Sequence, residues 1–438
     1  MHCRKVIKTG GSSISRPGDP ENFVTLMQDD PERWVWTASA AGKRSEDDEK
    51  VTDILIAHAE RDESAEPAIQ RYAELFPKYD VGRFRRMLRN TRRRKYPSRQ
   101  AMIDAYSTLG ETWMGMCLAD LAGLELVEAK EVIRVTEEYG SAEILPESAD
   151  LLRDRINDPD KKYLLTGFQG ITQSGHIAAL GRGGTDTTGA FATKVLGAKQ
   201  YEVWTDDVIR AAFPFPKNSH KIEEITYIEM GELSPVGFKI VHPDAVNTLK
   251  GEGVEMHVRD TRTPDKEGTL ILDDRLLDPD RSVIGIAYYA PICIFNVYSP
   301  TLNRRKGSLG EILKIFYDRG HSVDHTPTGV NSISVVLQQE QLSGSAQFHR
   351  ITSQLTRLVG RKGTVNSQQH GGYLVAAGMG LREDYRTIPS MLLELADQRI
   401  PYTFTAQGPD RLSAIIGVRQ EHAELAAQVL YDRFVKTD

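Results

Sequence analysis

Short apolar runs alternate with amphipathic stretches along the larger, N-terminal part of the chain. The runs KVIKT at 5–9 and RWVWTA at 33–38 are each followed by small residues, and EKVTDILIAHAERD at 49–62 has apolar residues at helical spacing. This alternation predicts an α/β domain built on a largely parallel sheet. Ligands of such sheets bind outside the carboxyl ends of the strands, where the glycine loops of this sequence fall.

A different pattern follows a stretch rich in proline, glycine and charge at 259–282. Beyond it, apolar strands and helices appear as ICIFNVYS, GSLGEILKIFYDRG and SISVVLQ, and again as GYLVAAGMG, TIPSMLLELADQRI and LSAIIGVRQ. The repeat predicts two ferredoxin-like βαβ modules of about 70 residues each. We therefore expect a first domain over residues 1–278 and a pair of small modules over 279–438.

Composition limits the functions that are open to the chain. The 438 residues contain no apolar run of about 18 residues, so we expect no membrane span. Their net charge is −6, so we expect no general affinity for nucleic acid. The basic stretch GRFRRMLRNTRRRK at 82–95 belongs to no nucleic-acid motif and is expected to be a solvated helix. Cys3, Cys117 and Cys293 are widely separated, which predicts neither a disulfide framework nor a zinc site and favours a cytoplasmic location.

Two glycine loops carry the chemistry that the residues themselves suggest. The first, KTGGSS at 8–13, places its lysine before the glycines, the reverse of the order in a Walker phosphate loop. The second, LGRGGTD at 180–186, lies between a strand-like stretch and a helix, where glycine amides and the helix N-terminus favour an anion. Together they predict a two-loop phosphate site, in which Lys8 supplies charge to phosphate oxygens and Arg182 suits a carboxylate.

These motifs resemble those of the aspartate kinases of the amino-acid kinase family. The resemblance extends through SAAG with VTDILI, STLGE at 107–111, TGFQG at 166–170, WTD at 204–206, GFKIVHP at 237–243 and VRDTRTPDKEGTLI at 258–271, and it covers nearly the whole chain. It implies a three-layer αβα amino-acid-kinase domain followed by two ferredoxin-like ACT modules. The implied reaction is ATP-dependent phosphorylation of the β-carboxylate of L-aspartate to 4-phospho-aspartate, with Mg²⁺ bound through the ATP phosphates. The resemblance also implies a homodimer and an amino-acid effector at the ACT interface.

The resemblance assigns roles to individual residues. Lys8 would contact the transferring phosphates and Asp186 would organise that lysine. Arg182 would bind a carboxylate of aspartate, and Glu111 would face its amino group. The substrate-binding positions are Ser39, Thr52, Glu111, Phe168, Arg182 and Thr185. The nucleotide-binding positions are Gly10, Gly11, Ser12, Gly183, Gly184, Thr205, Asp206 and Lys239. No residue receives a metal-binding role.

Two segments depart from the family pattern. The family usually has an arginine after its Gly-Glu pair, whereas this chain has Thr112. The segment 207–218 lacks the glycine turn, the aromatic residue and the Asp-Pro-Arg sequence that pack around adenine and ribose in the family, and Phe213 or Phe215 could replace those contacts. The departures leave two alternatives open: a kinase for another amino acid or small carboxylate, and a catalytically silent sensor of the ACT type.

A third departure concerns regulation. The stretch SVDHTPTGVNSISV at 322–335 resembles the one that binds lysine between ACT modules in feedback-inhibited members of the family. Asp324 and Thr328 match, whereas Gly329 and Val330 stand in place of a serine and a glutamate. Because a charged hydrogen bond to the effector's amino group, worth about 1.5–3 kcal/mol, would be missing, we expect weak or absent inhibition by lysine.

Overall fold

A computed structural model of the chain describes residues 4–238, 240–277 and 281–436. The chain divides into two compact units. The first holds the residues up to 209 with 223–231 and 240–275, and the second holds 210–222, 232–238 and the residues from 276 onward. The first unit therefore continues through most of the 259–282 stretch, and the boundary predicted at 278/279 falls outside the described residues.

The strands of the described chain are β1 (Lys5–Thr9), β2 (Arg33–Ala38), β3 (Glu125–Val127), β4 (Tyr163–Thr166), β5 (Gln169–Ile171), β6 (Ile177–Ala179), β7 (Gln200–Thr205), β8 (Ala212–Phe213), β9 (Glu224–Thr226), β10 (Glu255–Asp260), β11 (Thr269–Leu272), β12 (Gly285–Tyr298), β13 (Ser332–Gln338), β14 (Thr364–Ala377), β15 (Tyr402–Gln407) and β16 (Ser413–Arg419).

The α-helices are α1 (Asp19–Asp29), α2 (Val51–Arg61), α3 (Glu66–Leu75), α4 (Gly82–Arg92), α5 (Arg99–Ser107), α6 (Leu109–Ala122), α7 (Ala129–Val132), α8 (Ser148–Arg155), α9 (Gly184–Val195), α10 (Tyr227–Leu233), α11 (Pro243–Leu249), α12 (Ser308–Tyr317), α13 (Ser345–Val359), α14 (Thr387–Asp397) and α15 (Ala423–Phe434).

An eight-stranded sheet forms the centre of the first unit. Its strand order is β3-β4-β2-β1-β7-β10-β11-β9. All neighbouring strands are parallel except β10 and β11, which are antiparallel. Every residue of β2 is buried, as expected for a parallel strand that is covered on both faces. The predicted parallel sheet is confirmed.

Helices cover both faces of this sheet. On one face, Ile7 and Trp36 join an aromatic core with Tyr72 and Trp113, which come from α3 and α6. Since neighbouring strand residues point to opposite faces, Lys8 must point away from Ile7 and this core. Helix α9 lies on that second face and packs against β1, β2 and β7. The arrangement is the three-layer αβα sandwich that the family resemblance implies.

A single sheet forms the second unit, with the order β13-β12-β14-β16-β15 and with β8 parallel to β12. The first residues of β12, Gly285–Tyr289, pair with the last residues of β14, Tyr373–Ala377, and that part of β14 pairs with β16. The remainder of β12 pairs with β13 and with the beginning of β14. A register shift between Tyr289 and Ile292 separates the two halves of β12.

The two ferredoxin-like modules are therefore nested rather than consecutive. One module contains β13, α12 and α13, and the other contains β15, β16, α14 and α15, while β12 and β14 run through both. The prediction of two α+β modules is confirmed, but the prediction that each occupies its own stretch of chain is wrong. The physical reason is that the second module takes a strand from residues that precede the first.

The basic stretch at 82–95 contains the whole of α4, whose arginines are exposed. Four of them are balanced by carboxylates, in agreement with a solvated helix. The four ion pairs are Arg83–Asp120, Arg85–Glu66, Arg86–Asp80 and Arg92–Asp62.

Across the described residues, every helix is too short or too polar to cross a membrane.

Candidate active site

Both glycine loops lie at the carboxyl edge of the eight-stranded sheet. The first follows β1 and turns through a 3-10 helix at Gly11–Ser13. The second follows β6, which is not part of the eight-stranded sheet, and leads into α9 at Gly184. Because α9 packs against β1, the start of α9 is brought beside the end of β1.

Lys8 and Asp186 form the contact between these two segments. The Lys8 Nζ atom lies 2.8 Å from Oδ1 of Asp186, and the two side chains are only 9% and 12% exposed. Lys8 is held by the backbone of β1, and Asp186 by the first turn of α9. The lysine of the first loop motif and the aspartate of the second are therefore neighbours, as the assigned roles require.

The first loop packs tightly against residues 40–42, which follow β2. The Gly42 amide donates to the Gly11 carbonyl over 2.8 Å. A β-carbon on Gly11 would lie 2.4 Å from the Ala40 carbonyl oxygen, and one on Gly42 would lie 2.5 Å from the Ser12 nitrogen. Glycine is required at both positions by this close backbone approach. The first amides of the 3-10 turn have no partner within the turn and are suited to bind an anion.

In the second loop, Gly183 is fixed by both its backbone and its surroundings. Its φ is 76°, a left-handed value that favours glycine. A β-carbon there would lie 2.2 Å from the Cγ atom of His242. His242 thus packs against the loop. The amides and dipole at the start of α9 favour negative charge at this point.

A cleft of about 600 Å³ opens between these elements. It brings together all six residues assigned to the substrate, together with Asp186, Gly183 and Gly184. The lining residues are Ser39, Lys50, Thr52, Asp53, Ile56, Gln100, Ile103, Asp104, Ser107, Glu111, Gly140, Phe168, Ala179, Gly181, Arg182, Gly183, Gly184, Thr185 and Asp186.

Glu111 is the buried acid of this cleft. It lies in the first turn of α6 and is 5% exposed. Its Oε1 accepts a hydrogen bond of 3.3 Å from the Ala40 amide, while Oε2 is buried and has no hydrogen-bond partner among the described residues. Burial raises the pKa of Glu111 to about 7 because the charged form is poorly solvated. A ligand ammonium group would provide the missing partner.

Arg182 and Phe168 occupy another part of the cleft wall. Arg182 is exposed and forms no ion pair with any residue in the described part of the chain, so its guanidinium group is available to an anion. Phe168 has a φ of 70°, a conformation that a bulky residue rarely adopts. Its backbone is held by hydrogen bonds from the Leu180 amide to its carbonyl and from its own amide to Thr188. Such conformations are concentrated at functional sites.

The remaining nucleotide-binding candidates among the described residues are not part of the cleft lining. Gly10 donates from its amide to the Trp204 carbonyl, which ties the first loop to β7. Thr205 ends β7, and its hydroxyl is 3.3 Å from Oδ1 of the exposed Asp206. The structure brings Thr205 to the same sheet edge as Lys8, since β1 and β7 are parallel neighbours. Lys239 lies outside the described residues.

The two sequence departures near the site have different structural settings. Thr112 is buried on α6, and its hydroxyl accepts a 2.8 Å hydrogen bond from Gln169 on β5. Position 112 therefore carries a neutral hydroxyl group that is already hydrogen-bonded. Segment 210–222 belongs to the second unit, where Phe213 on β8 pairs with β12 and is 45% exposed. The suggestion that Phe213 or Phe215 contacts adenine stays a prediction.

Sequence reasoning missed Asp104 and Lys50, both of which line the cleft. Asp104 lies on α5 within a stretch that has no glycine loop or other recognisable pattern. Lys50 precedes α2 in an acidic stretch that looks like ordinary surface. The only signal for Asp104 was its position one helical turn before STLGE, which is too general to identify a site residue.

The fold and site are those of a small-molecule kinase. The amino acid kinase family model matches residues 4–260, more than half of the chain, and the chain belongs to that family.

Over its whole length the chain is similar to aspartokinases. It is 28% identical over 453 residues to aspartokinase 3 of Bacillus subtilis, an alignment that covers 98% of each protein. It is 37% identical over 189 residues to the aspartokinase of Rickettsia prowazekii, covering 40% of this chain and 41% of the relative. The resemblance to aspartate kinases that the sequence motifs indicated is confirmed.

Solved structures agree with this assignment. The crystal structure of Clostridium acetobutylicum aspartate kinase, described as an allosteric enzyme, has a TM-score of 0.80 and 25% identity, and covers 98% of this chain and 99% of its own. Escherichia coli aspartokinase III, solved in complex with aspartate and ADP, has a TM-score of 0.81 at 20% identity, with 98% and 99% coverage. The latter likeness shows the fold.

Proposed function

We propose that the chain transfers the γ-phosphoryl group of ATP to the side-chain carboxylate of L-aspartate and forms 4-phospho-aspartate. The observation that carries this proposal is the single cleft in which Glu111 and Arg182 face the same space beside the Lys8–Asp186 pair. Aspartate needs one partner for its ammonium group and others for its two carboxylates. Aspartokinase 3 of Bacillus subtilis, which aligns with 98% of the chain, supports the proposal as well.

Within this proposal, each cleft residue has a physical task. The ionised Glu111 accepts the substrate ammonium group at its unpartnered Oε2. Arg182 binds a carboxylate through its planar donors, and Ser39, Thr52, Phe168 and Thr185 complete the walls. Lys8 stabilises negative charge on the transferring phosphoryl group, with its ammonium group held in place by Asp186.

The reaction requires positioning more than proton transfer. A carboxylate is already ionised at neutral pH and attacks phosphorus without a general base, so catalysis rests on alignment and charge neutralisation. The amides of Gly11, Ser12, Gly183 and Gly184 would hold phosphate oxygens, and Thr205, Asp206 and Lys239 would contact the nucleotide. Magnesium would be held mainly by the ATP phosphates, whose charge it neutralises.

The proposal extends to the second unit. Residues 1–278 would form the catalytic domain and residues 279–438 the regulatory ACT pair, with two chains joined as a homodimer. Asp324 and Thr328 would contribute to an effector site. Burial raises the pKa of Asp324 to about 6, and its Oδ2 is buried with no hydrogen-bond partner among the described residues, which suits an amino-group ligand. A cytoplasmic location is also part of the proposal, and Cys117 and Cys293 are free and buried.

A substrate panel tests the proposed reaction. Purified protein is incubated with ATP, Mg²⁺ and each of several amino acids and small carboxylates, ADP release is followed in a coupled assay, and acyl phosphate is trapped with hydroxylamine. We expect a hydroxamate product with L-aspartate. Turnover with a different carboxylate alone would contradict aspartate as the substrate. No turnover with any carboxylate, together with no ATP binding by calorimetry, would favour the sensor.

A further inference from the structure

Asp104 is a buried carboxylate at the wall of the cleft that no predicted role uses. It lies on α5 and is 1% exposed. Its Oδ2 accepts two backbone hydrogen bonds, of 2.8 Å from the Gly140 amide and 2.9 Å from the Ala179 amide. Its Oδ1 accepts a bond of 3.0 Å from the Gln100 side chain. One side chain therefore ties together a helix, the loop around Gly140 and the end of β6.

These two backbone segments support the loop that carries Arg182. Ala179 is the last residue of β6, and the loop follows directly. Gly140 lies beneath the loop, because a β-carbon on Gly181 would lie 3.1 Å from the Gly140 carbonyl oxygen. The Ala142 amide also donates to the Ala179 carbonyl over 2.9 Å. The carboxylate of Asp104 thus fixes the two backbone segments, around Gly140 and at Ala179, that contact or precede Gly181 and Arg182.

Burying a carboxylate costs more free energy than burying an apolar side chain, so its presence here suggests that the geometry of its hydrogen bonds matters. Asp104 forms no ion pair with a lysine or arginine of the described chain, so its charge is compensated by backbone and amide donors alone. Hydrogen bonds to an ionised acceptor are stronger than those between neutral groups, and they fix the positions of their donors more firmly. The loop with Arg182 gains a rigid support that an apolar contact would not provide.

We propose that Asp104 is a positioning residue for substrate binding, which sets the place of Arg182 by fixing the Gly140 loop and the end of β6. The proposal rests on the proposed function, since it assumes that Arg182 binds a carboxylate of the amino-acid substrate. Asp104 itself touches neither aspartate nor ATP in this role. Its removal should weaken binding of the amino acid and leave binding of ATP nearly unchanged.

The test compares Asp104→Ala and Asp104→Asn with the parent enzyme in full steady-state kinetics. In Asp104→Ala both backbone amides lose a charged acceptor, so KM for aspartate should rise about tenfold or more, while KM for ATP stays within about twofold. Asp104→Asn keeps one neutral acceptor oxygen for the two amides, and the Gln100 amide can rotate to accept from the new NH₂ group. This variant should show a rise of several-fold, between the parent and the alanine variant.

Glu229→Gln provides a matched control. Glu229 is a fully buried carboxylate of α10 that receives a hydrogen bond from the Thr226 amide and pairs with Arg275. It lies beside β9, at the far edge of the sheet from β1. We expect Glu229→Gln to lower the Tm without changing KM for aspartate, which separates loss of stability from loss of positioning.

The outcomes distinguish this inference from the proposed function. If the parent enzyme makes no acyl phosphate from aspartate, the proposed function fails whatever the variants do. If the parent is active and folded Asp104→Ala keeps its KM for aspartate, or if both KM values rise equally, the positioning role is wrong. Should Asp104→Ala not fold, Asp104→Asn decides, because an unchanged KM for aspartate in that variant contradicts the role.

Discussion

Lys8 projects from a central strand, and this origin limits where its ammonium group can go. The backbone of β1 is hydrogen-bonded on both sides, to β2 and to β7, so it cannot shift to accommodate a ligand. The partner carboxylate on α9 fixes the other end of the side chain. A charge that is already in place needs little rearrangement in the transition state, which is the main advantage of preorganised electrostatics.

Replacing Lys8 by alanine should therefore reduce kcat by about a hundredfold or more. The loss also leaves Asp186 without its cation, so the Tm should fall. Lys5→Ala is the matched control: Lys5 lies on the same strand and pairs with Asp30 at 2.8 Å, away from the cleft. It should keep nearly full activity. Retention of near-normal kcat by a folded Lys8→Ala enzyme would show that the phosphate contact is misassigned.

Glu111 predicts a pH dependence of substrate binding. Burial raises its pKa to about 7, so the carboxylate that we propose as the partner of the ammonium group is half protonated near neutral pH. Protonation removes the charge, and kcat/KM for aspartate should fall by up to about tenfold for each pH unit below 7. Glu111→Gln should lower kcat/KM about tenfold or more at pH 8 and abolish this step.

A pH series from 6 to 9 checks the Glu111 prediction. The same profile for ATP, measured at saturating aspartate, serves as its internal control and should lack the step. Stability changes in the opposite sense to activity: because the folded pKa is above the ordinary value, native stability declines as pH rises from about 4.5 to 7. Glu111→Gln should therefore have a higher Tm than the parent at pH 8. An unchanged pH profile in Glu111→Gln would assign the step to another group.

At the scale of elements, the two glycine loops differ in why they need glycine. Gly11 of the first loop and Gly42 are required because the first loop approaches the backbone of residues 40–42 closely. Gly183 of the second loop is required by its φ of 76° and by the ring of His242. Each requirement places a loop at the sheet edge in one arrangement. The helix that begins at Gly184 then presents its first amides toward the cleft.

Gly183→Ala should disturb both stability and function. The left-handed φ costs about 1 kcal/mol, and the contact with His242 forces the loop to move, so kcat/KM should fall about tenfold or more. Gly197→Ala isolates the first effect, since Gly197 has a φ of 67° with nothing within 4 Å of its added β-carbon. It should lower the Tm slightly and leave kinetics unchanged. Equal kinetic behaviour of the two variants would contradict the role of the His242 contact.

Elements with local patterns were predicted well, and those held by distant contacts were not. The strand before each glycine loop and the helix after the second loop can be predicted from the pattern of neighbouring residues alone. The acidic stretch KRSEDDEK at 43–50 carries no recognisable local pattern. In the structure, the buried Arg71 of α3 donates to the carbonyls of Gly42 and Glu49 and pairs with Asp48. Hydrogen bonds from Arg44, together with the charge of Arg71, hold the pKa of Asp48 well below its usual range. Nothing near residue 48 in the sequence reveals Arg71 as a partner.

The site shows the same division. Lys8, Glu111, Arg182 and Asp186 each belong to a short motif that sequence reading can single out. Glu111, Arg182 and Asp186 line the cleft, and Lys8 pairs with Asp186. Asp104 was missed because its hydrogen-bond partners are two backbone amides from segments that follow it by tens of residues. A side chain that binds backbone leaves no complementary residue type for a sequence reader to notice.

At the scale of the whole molecule, the sequence departures lead us to expect altered regulation by lysine. Val330 stands where the lysine-sensitive pattern has a glutamate, and it is 73% exposed. We expect no sub-millimolar inhibition by lysine in steady-state assays. Val330→Glu should restore a charged partner for an amino group and lower the inhibitory concentration of lysine about tenfold or more. Val330→Gln, with similar size and no charge, is the control, and sub-millimolar inhibition of the parent enzyme would contradict the prediction.

Long-range strand pairing limits what could be predicted at this scale. The number and type of modules follow from local patterns, but their nesting depends on Gly285–Tyr289 pairing with Tyr373–Ala377 across the sheet. An apolar strand carries no mark of which later strand it will join. A consecutive arrangement of the two modules was therefore the natural expectation, and the structure shows that they are nested instead.

This nesting has a consequence for how the chain acquires its shape during synthesis. The outer module begins with residues that leave the ribosome before the inner module is made, yet it cannot be completed until β16 and α15 have emerged. Contacts of such high sequence separation form slowly. Residues Gly285–Tyr289 of β12 cannot pair with β14 until Tyr373–Ala377 have been synthesised. The segment between these two strands can fold in the meantime. The inner module can mature early, whereas the outer one closes only when translation is nearly finished.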